Sequence, residues 1–143
     1  MTETDGKPAI CNCLALRQAA RHVTQLYDRH LADTGLRTTQ FSILARLKRR
    51  GPMTINALAA ELVMDRTTLG RNVLPLQRQG LLTISPGASD RRRKELKLSQ
   101  AGERRFEAAL RAWRDAQAHF ESAFGAGRAR ELRAIMHEVS TVG

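Results

Sequence analysis

TINALAAELVMDRTTLGRNVLPLQRQGLL, residues 54–82, is the stretch from which the rest of the chain can be read. Thr54 stands before Ile55, Leu58, Ala59 and Leu62, apolar positions three and four apart, and its hydroxyl can accept from a free backbone N–H of the first turn. Asp65 can do the same for a second helix from Arg66 to about Gln79, with Leu69, Val73 and Leu76 inward and Gly80 placed to close it. Two short capped helices joined tightly around Val63 to Asp65 form the outline of a helix-turn-helix. One residue departs from local rules. Pro75 lacks the N–H that would reach the carbonyl of Arg71, so it should kink the second helix or end it early.

Working outward, the apolar positions Leu16, Ala19, Ala20, Val23, Leu26, Tyr27 and Leu31 predict an amphipathic helix from Asn12 to Asp33, with Gly35 at its exit. Thr38 or Thr39 can cap the next helix, whose Phe41, Leu44 and Leu47 share a face until Gly51-Pro52. Beyond the motif, Leu81 to Ile84 reads as a strand and Ser85 to Asp90 as a turn. Leu96 and Leu98 alternate with Glu95 and Lys97, completing a hairpin with a basic tip. Ser99 can cap a long helix in which Phe106, Leu110, Trp113, Gln117, Phe120 and Phe124 line one narrow face. It should end at Gly125-Ala126-Gly127, and a last helix follows with Leu132, Ile135, Met136 and Val139 inward. No internal repeat or low-complexity segment is evident.

Composition bounds the function. The chain has 143 residues, 42% of them apolar, which suits one domain. Lys and Arg number 24 against 14 acids, a formal charge of +10, which favours a polyanionic partner such as nucleic acid or an acidic membrane face. Between Arg66 and Lys97 there are eight cations against Asp90 and Glu95. Arg91 to Lys94 are consecutive cations at a loop tip, so they repel one another and call for an outside counter-charge. No apolar run approaches the roughly 18 residues that span a bilayer, and Met1 to Ile10 is acidic and polar, unlike a signal peptide. A cytoplasmic protein without a membrane partner is expected. His22, His30, His119 and His137 lack partners at metal-ligand spacing, so neither a metal nor another cofactor is expected. The absence of a Gly-rich phosphate loop or a nucleophile with a base in a recognisable motif argues against an enzyme. Cys11 and Cys13 lie too close together for a long-range disulfide framework and are either inert thiols or a local redox feature.

Helix, helix, short helix, short helix, basic hairpin, long helix, helix is the order of a winged helix-turn-helix flanked by dimerisation helices. The chain resembles the MarR family (multiple antibiotic resistance regulators) from about Cys11 to Val139. The resemblance rests on GLRTTQFSILARL (35–47), on residues 54–82, and on SDRRRKELKLSQAG (89–102), with its Asp-x-Arg wing followed by alternating apolar residues and Leu-Ser-x-x-Gly. It implies a mainly α fold with a β-hairpin wing, dimerisation helices over 10–34 and 100–141, and a DNA-binding lobe over 37–98. Arg66, Thr67, Thr68 and Arg71 then occupy the first turns of a recognition helix, where base edges and phosphates come within reach. Thr67 and Thr68 can donate to phosphates or pack on thymine methyls, and Arg71 can read a guanine. The resemblance makes Arg92 the wing arginine for the minor groove and Asp90 the residue that steadies it. Thr54, Arg91 and Arg93 complete the expected DNA-binding set. The long helix from Gln100 to Phe124 would span on the order of 37 Å, more than one small core can cover, which calls for a second subunit. A homodimer would present two recognition helices about 34 Å apart, and so read an inverted-repeat operator on double-stranded DNA. The expected activity is that of a repressor released by a small-molecule effector or by thiol oxidation; an architectural protein that coats nucleic acid through charge alone is the alternative.

CNCLALRQAARHVTQLYDRHL (11–31) resembles the first helix of the organic-hydroperoxide-sensing branch of that family. Aligned through CLAL, Cys13 falls on the reactive cysteine and Tyr27 on one of the tyrosines that hold its thiolate. A thiol in the first turn of a helix feels the positive end of the dipole, and Cys11 could resolve a sulfenic acid formed there. The second expected tyrosine is replaced by Thr38, and a Cys11–Cys13 bridge would be strained if both lay in one helix. The other reading is a partly buried thiol at the dimer interface of a ligand-sensing relative. Trp113, on the stripe with Phe106 and Phe120, belongs either to packing or to an effector pocket.

Overall fold

The computed structural model describes residues 10–143; most of the acidic and polar amino-terminal stretch therefore lies outside the described residues. Helix α1 (Asn12–Leu31) is followed by a 3-10 turn at Ala32–Thr34, and Gly35 reverses the chain with φ 77°. Helix α2 (Thr38–Arg50) packs on α1, and its cap differs from the expectation. The N-cap residue is Arg37, not a threonine. Its backbone N–H donates to Gln40 Oε1 at 3.0 Å, and the N–H of Thr38 donates to Asp28 Oδ1 of α1 at 2.7 Å. One side chain of α2 itself, Gln40, and one from α1, Asp28, thus satisfy helix-start donors in place of the expected threonine hydroxyl.

Strand β1 (Met53–Thr54) leads into α3 (Ile55–Glu61), where Thr54 Oγ1 accepts from Ala57 N at 3.1 Å. Val63 makes the connection with φ 52°, a costly angle for a β-branched residue. Helix α4 (Arg66–Arg78) is capped by Asp65, and it runs through Pro75 without ending early. Leu69, Val73 and Leu76 are at most 3% exposed, and this buried face holds the helix across the missing hydrogen bond. Strands β2 (Leu82–Pro86) and β3 (Lys94–Leu98) form the hairpin. Ser85 and Pro86, expected in the turn, pair with Glu95 and Lys94, while Leu81 precedes the strand. β2 is an outer strand, where the absent proline donor is tolerated. β1 adds a third strand on the other side of β3, with Met53 opposite Leu96, an element the sequence reading missed.

Ser99 caps α5 (Gln100–Phe124), accepting from Gly102 N at 3.0 Å and donating its hydroxyl proton to Gly80 O at 2.6 Å. Gly102 is compulsory here. A Cβ on it would lie 1.9 Å from the carbonyl oxygen of Leu81. The residues of α5 most deeply buried are Gly102, Ala109 and Ala116, with the aromatic stripe half-buried beside them. Only Gly125, at φ 102°, breaks the chain, since α6 (Ala126–Val139) already contains Gly127. The core lies between α2, α3, α4 and the sheet, built from Phe41, Ile43, Leu44, Leu58, Leu69, Leu76, Leu82 and Leu96, with Leu31 and Ala109 joining it from α1 and α5.

Candidate nucleic-acid interface

Asp65 organises the start of α4. One carboxylate oxygen accepts from the backbone N–H of Thr68 and the other from the Thr68 hydroxyl, both at 2.8 Å. These bonds, the backbone one foremost, hold the Asp65 carboxyl below the ordinary range, so the cap is ionised at neutral pH. They also commit the Thr68 hydroxyl proton. In this arrangement Thr68 can offer a phosphate no donor, contrary to expectation, whereas Thr67 stays exposed with no such bond among the described residues. Asn72, one turn on, donates to the carbonyl of Thr68 at 2.9 Å. Arg66 and Arg71 are exposed and enter no ion pair among the described residues. Other cations of this lobe have an acidic partner, as where Arg46 and Arg50 of α2 converge on the single carboxylate of Glu61 of α3 at 3.1 and 3.2 Å.

The wing tip between β2 and β3 is folded on itself. Gly87 N donates to Arg93 O at 2.7 Å, and Arg93 N to Asp90 O at 3.1 Å. A side chain at Gly87 would meet both carbonyl oxygens at 2.8 Å. Asp90 Oδ1 accepts the backbone N–H of Arg92 at 3.0 Å and lies 3.5 Å from its Nε; Arg93 Nε is 4.0 Å from the other oxygen. One acid thus shapes the loop and touches two cations, while Arg91 has no acidic partner among the described residues. The Arg92 side chain remains 94% exposed. Thr54 joins the two parts, since it caps α3 and, in β1, sits opposite Glu95 of the wing strand.

The sensing candidates separate. Cys11 is the N-cap of α1 in extended conformation, its Sγ accepting from Leu14 N at 3.4 Å, and Cys13 follows in the first turn. Both thiols are free and exposed, so within the chain Cys13 is not partly buried, and the two do not both lie in the helix. Tyr27 stands fourteen residues further along α1, roughly 21 Å from Cys13, and cannot hold that thiolate within one chain. Its hydroxyl donates to Gln117 Oε1 of α5. Burial and then the Glu121 carboxylate push the phenol up, with Arg133 opposing, so it stays protonated at neutral pH. Trp113 stacks on Phe41 at 5.9 Å between ring centres, and Phe41 stacks in turn on Phe106 at 5.2 Å. It packs against the core. The large groove lies elsewhere, an open space of about 1190 Å³ where Leu16, Ala19, Ala20 and Val23 of α1 face Leu132, Met136 and Val139 of α6, with Tyr27 and Phe120 on its walls. Leu132 and Met136 are half-buried, but Ile135 and Val139 are 51% and 38% exposed, so the last helix does not turn its whole apolar set inward. Among the described residues no group of three potential ligands could hold a metal ion, and no helix is long and apolar enough to cross a membrane.

A three-stranded sheet, a capped helix pair with unpaired cations on the second helix, and a basic hairpin define a winged helix-turn-helix. Known proteins agree. A sequence model of the MarR family matches residues 36–94. The crystal structure of the transcriptional regulator MosR from M. tuberculosis shares 33% identity and superposes with a TM-score of 0.79, covering 92% of this chain and 96% of that one. The structure of MosR in complex with DNA gives 34%, 93% and 100% coverage, and 0.78. The chain is also 29% identical over 87 residues to the HTH-type transcriptional repressor NicR of Pseudomonas putida; this covers 61% of the chain and about half, 55%, of the length of NicR. The chain belongs to the MarR family of DNA-binding transcription regulators.

Proposed function

We propose that the protein is a cytoplasmic, homodimeric repressor that binds an inverted-repeat operator. The observation that carries this reading is the set of exposed cations with no ion-pair partner among the described residues, Arg66 and Arg71 on α4 and Arg91 on the wing, beside Arg92 and Arg93 held at one acid, on a lobe where Arg46 and Arg50 share Glu61. Arg71 and Thr67 read base edges in the major groove, Arg92 enters the minor groove, and Arg66, Arg91, Arg93 and the α3 start at Thr54 lie against phosphates. The open groove between α1 and α6 is the surface that a second copy covers, with helices over 10–34 and 100–141 forming the dimer and 37–98 the DNA-binding lobe. Selection of bound fragments from a random DNA pool at fixed salt tests this. A repressor enriches an inverted repeat, with half-sites about one helical turn apart, by on the order of 10³ or more over random DNA. An architectural coater enriches none, and that outcome would sink the proposal.

Release is assigned to oxidation at the start of α1, because Cys11 and Cys13 are both exposed there and Cys11 stands outside the helix as its cap. A hydroperoxide would convert the Cys13 thiolate to a sulfenic acid, being itself reduced to the alcohol, and Cys11 would then displace water to form a disulfide. Cumene hydroperoxide should lower operator affinity in the wild type and not in Cys13→Ser. Unchanged affinity with Cys13 still reduced by mass spectrometry leaves release by a small ligand as the reading.

A further inference from the structure

Two features of α4 have no explanation within the fold. The first is Leu74, 44% exposed. Among the described residues the large apolar side chains left open lie near the chain ends, at Ile10, Leu14, Leu16, Ile135, Val139 and Val142, except for two in the helix-turn-helix: Val63 in the connection and Leu74. At 100° per residue, Thr67, Arg71, Leu74 and Arg78 form one outward row, opposite buried Leu69, Val73 and Leu76. A solvated helix face favours a polar residue at that position. The second is Gly70. A Cβ there would meet nothing within 4 Å, so packing does not demand glycine, and glycine inside a helix is less stable than alanine. Gly70 lies one turn before Leu74 on the same side of the helix. The fold gains nothing from either residue, and both lie within one turn of Arg71 with open space beside them.

We propose that Leu74 and Gly70 are specificity-determining residues, Leu74 packing on the C5-methyl of a thymine in the major groove while Gly70 lets the base edge approach the helix. The occupant is set by continuity with the row that carries Thr67 and Arg71, and by chemistry, since the methyl of thymine is the one apolar group that a base presents in the major groove. This inference rests on the DNA-binding reading above. A protein partner seated on Leu74 is the competing occupant, and it would be indifferent to thymine.

The test uses the full-length protein and the DNA it selects from a random pool. Deoxyuridine, which lacks only the methyl, replaces each thymine in turn. One thymine per half-site should cost the wild type roughly four-fold in affinity, about 0.8 kcal/mol for one methyl's worth of apolar surface. Leu74→Ala should bind the thymine and deoxyuridine duplexes equally, with its thermal midpoint unchanged. Gly70→Ala should raise the thermal midpoint by about 2–4 °C, as a helix interior predicts, yet weaken binding to the selected site. Equal penalties for deoxyuridine in wild type and Leu74→Ala at every thymine overturn the assignment, as does a Gly70→Ala protein that is stabilised and binds normally. A pool from which no sequence is enriched overturns the DNA-reading proposal itself, and this one with it.

Discussion

Replacing Arg92 with alanine separates what the wing does for DNA from what it does for the fold. In the free protein the side chain is 94% exposed and its only ion pair among the described residues, with Asp90, spans 3.5 Å. The bond that shapes the tip runs from the Arg92 backbone N–H to Asp90 Oδ1 at 3.0 Å, and alanine retains it. Stability should therefore change by no more than about 0.5 kcal/mol. DNA binding should change much more. A cation brought into the counterion atmosphere of DNA, in the minor groove as at a phosphate, contributes about −0.9 to the slope of log K against log salt, so two Arg92 side chains in the proposed dimer contribute about −1.8. Between 50 and 200 mM salt, a 0.6 change in log concentration, wild-type affinity should fall roughly tenfold further than that of Arg92→Ala. Fluorescence anisotropy on the selected operator across that range, beside a denaturant titration of the free protein, measures both quantities. Parallel salt slopes for the two proteins would refute the account of the basic tip. A large loss of stability would show instead that the arginine serves the fold.

Gly102→Ala should destabilise the chain by about 2 kcal/mol or more, because the added methyl would press within 1.9 Å of the Leu81 carbonyl oxygen and outweigh any gain in helix propensity; calorimetry showing equal or higher stability would contradict the packing described. Asp65 has a folded-state pKa depressed by its bonds to Thr68, so its contribution is present above the unfolded value of about 3.9 and lost as pH falls through the lower folded value. Asp65→Asn keeps an acceptor but cannot titrate, so its stability relative to wild type should improve below about pH 4, and a difference that stays flat from pH 7 to pH 3 would count against the cap as the cause. Deleting Arg128 to Gly143 removes Leu132, Met136 and Val139 from the groove and should leave a monomeric or aggregating chain with little operator affinity; a truncated protein sedimenting as a soluble dimer would rule out the proposed interface.

What could be read from the sequence was what is decided locally. Thr54, Asp65 and Ser99 cap their helices as their side chains and the following apolar periods predict. Their acceptors meet N–H groups three residues on, and no distant residue has to intervene. The errors arise where a distant residue does. At the start of α2 the N–H of Thr38 goes to Asp28 of the preceding helix, and β1 exists because two residues with no period of their own meet β3 some forty positions later. The stripe on α5 misled for another reason. Aromatic residues mark a face by size, but closest approach belongs to the small ones, Gly102, Ala109 and Ala116, seven residues apart. Tyr27 and Gln117 are likewise 90 positions apart, so the fate of that phenol could not be read from α1 alone.

The same division runs through the candidate site. The sequence points to Arg66 and Arg71 through the cap at Asp65, which puts them in the first turns of α4, and to the wing arginines as consecutive cations at a loop tip. Sequence could not show that the Thr68 hydroxyl is spent on Asp65, because a residue able to cap and a residue able to contact DNA have the same chemistry until geometry chooses between them. Nor could it show that a side chain at 70 would meet open space, since a glycine kept for close packing and one kept for an outside partner are the same letter. Gly102 and Gly70 are both helical, yet a methyl would collide with Leu81 at the first and meet open space at the second. Stability accounts for the first and leaves the second to whatever the helix meets.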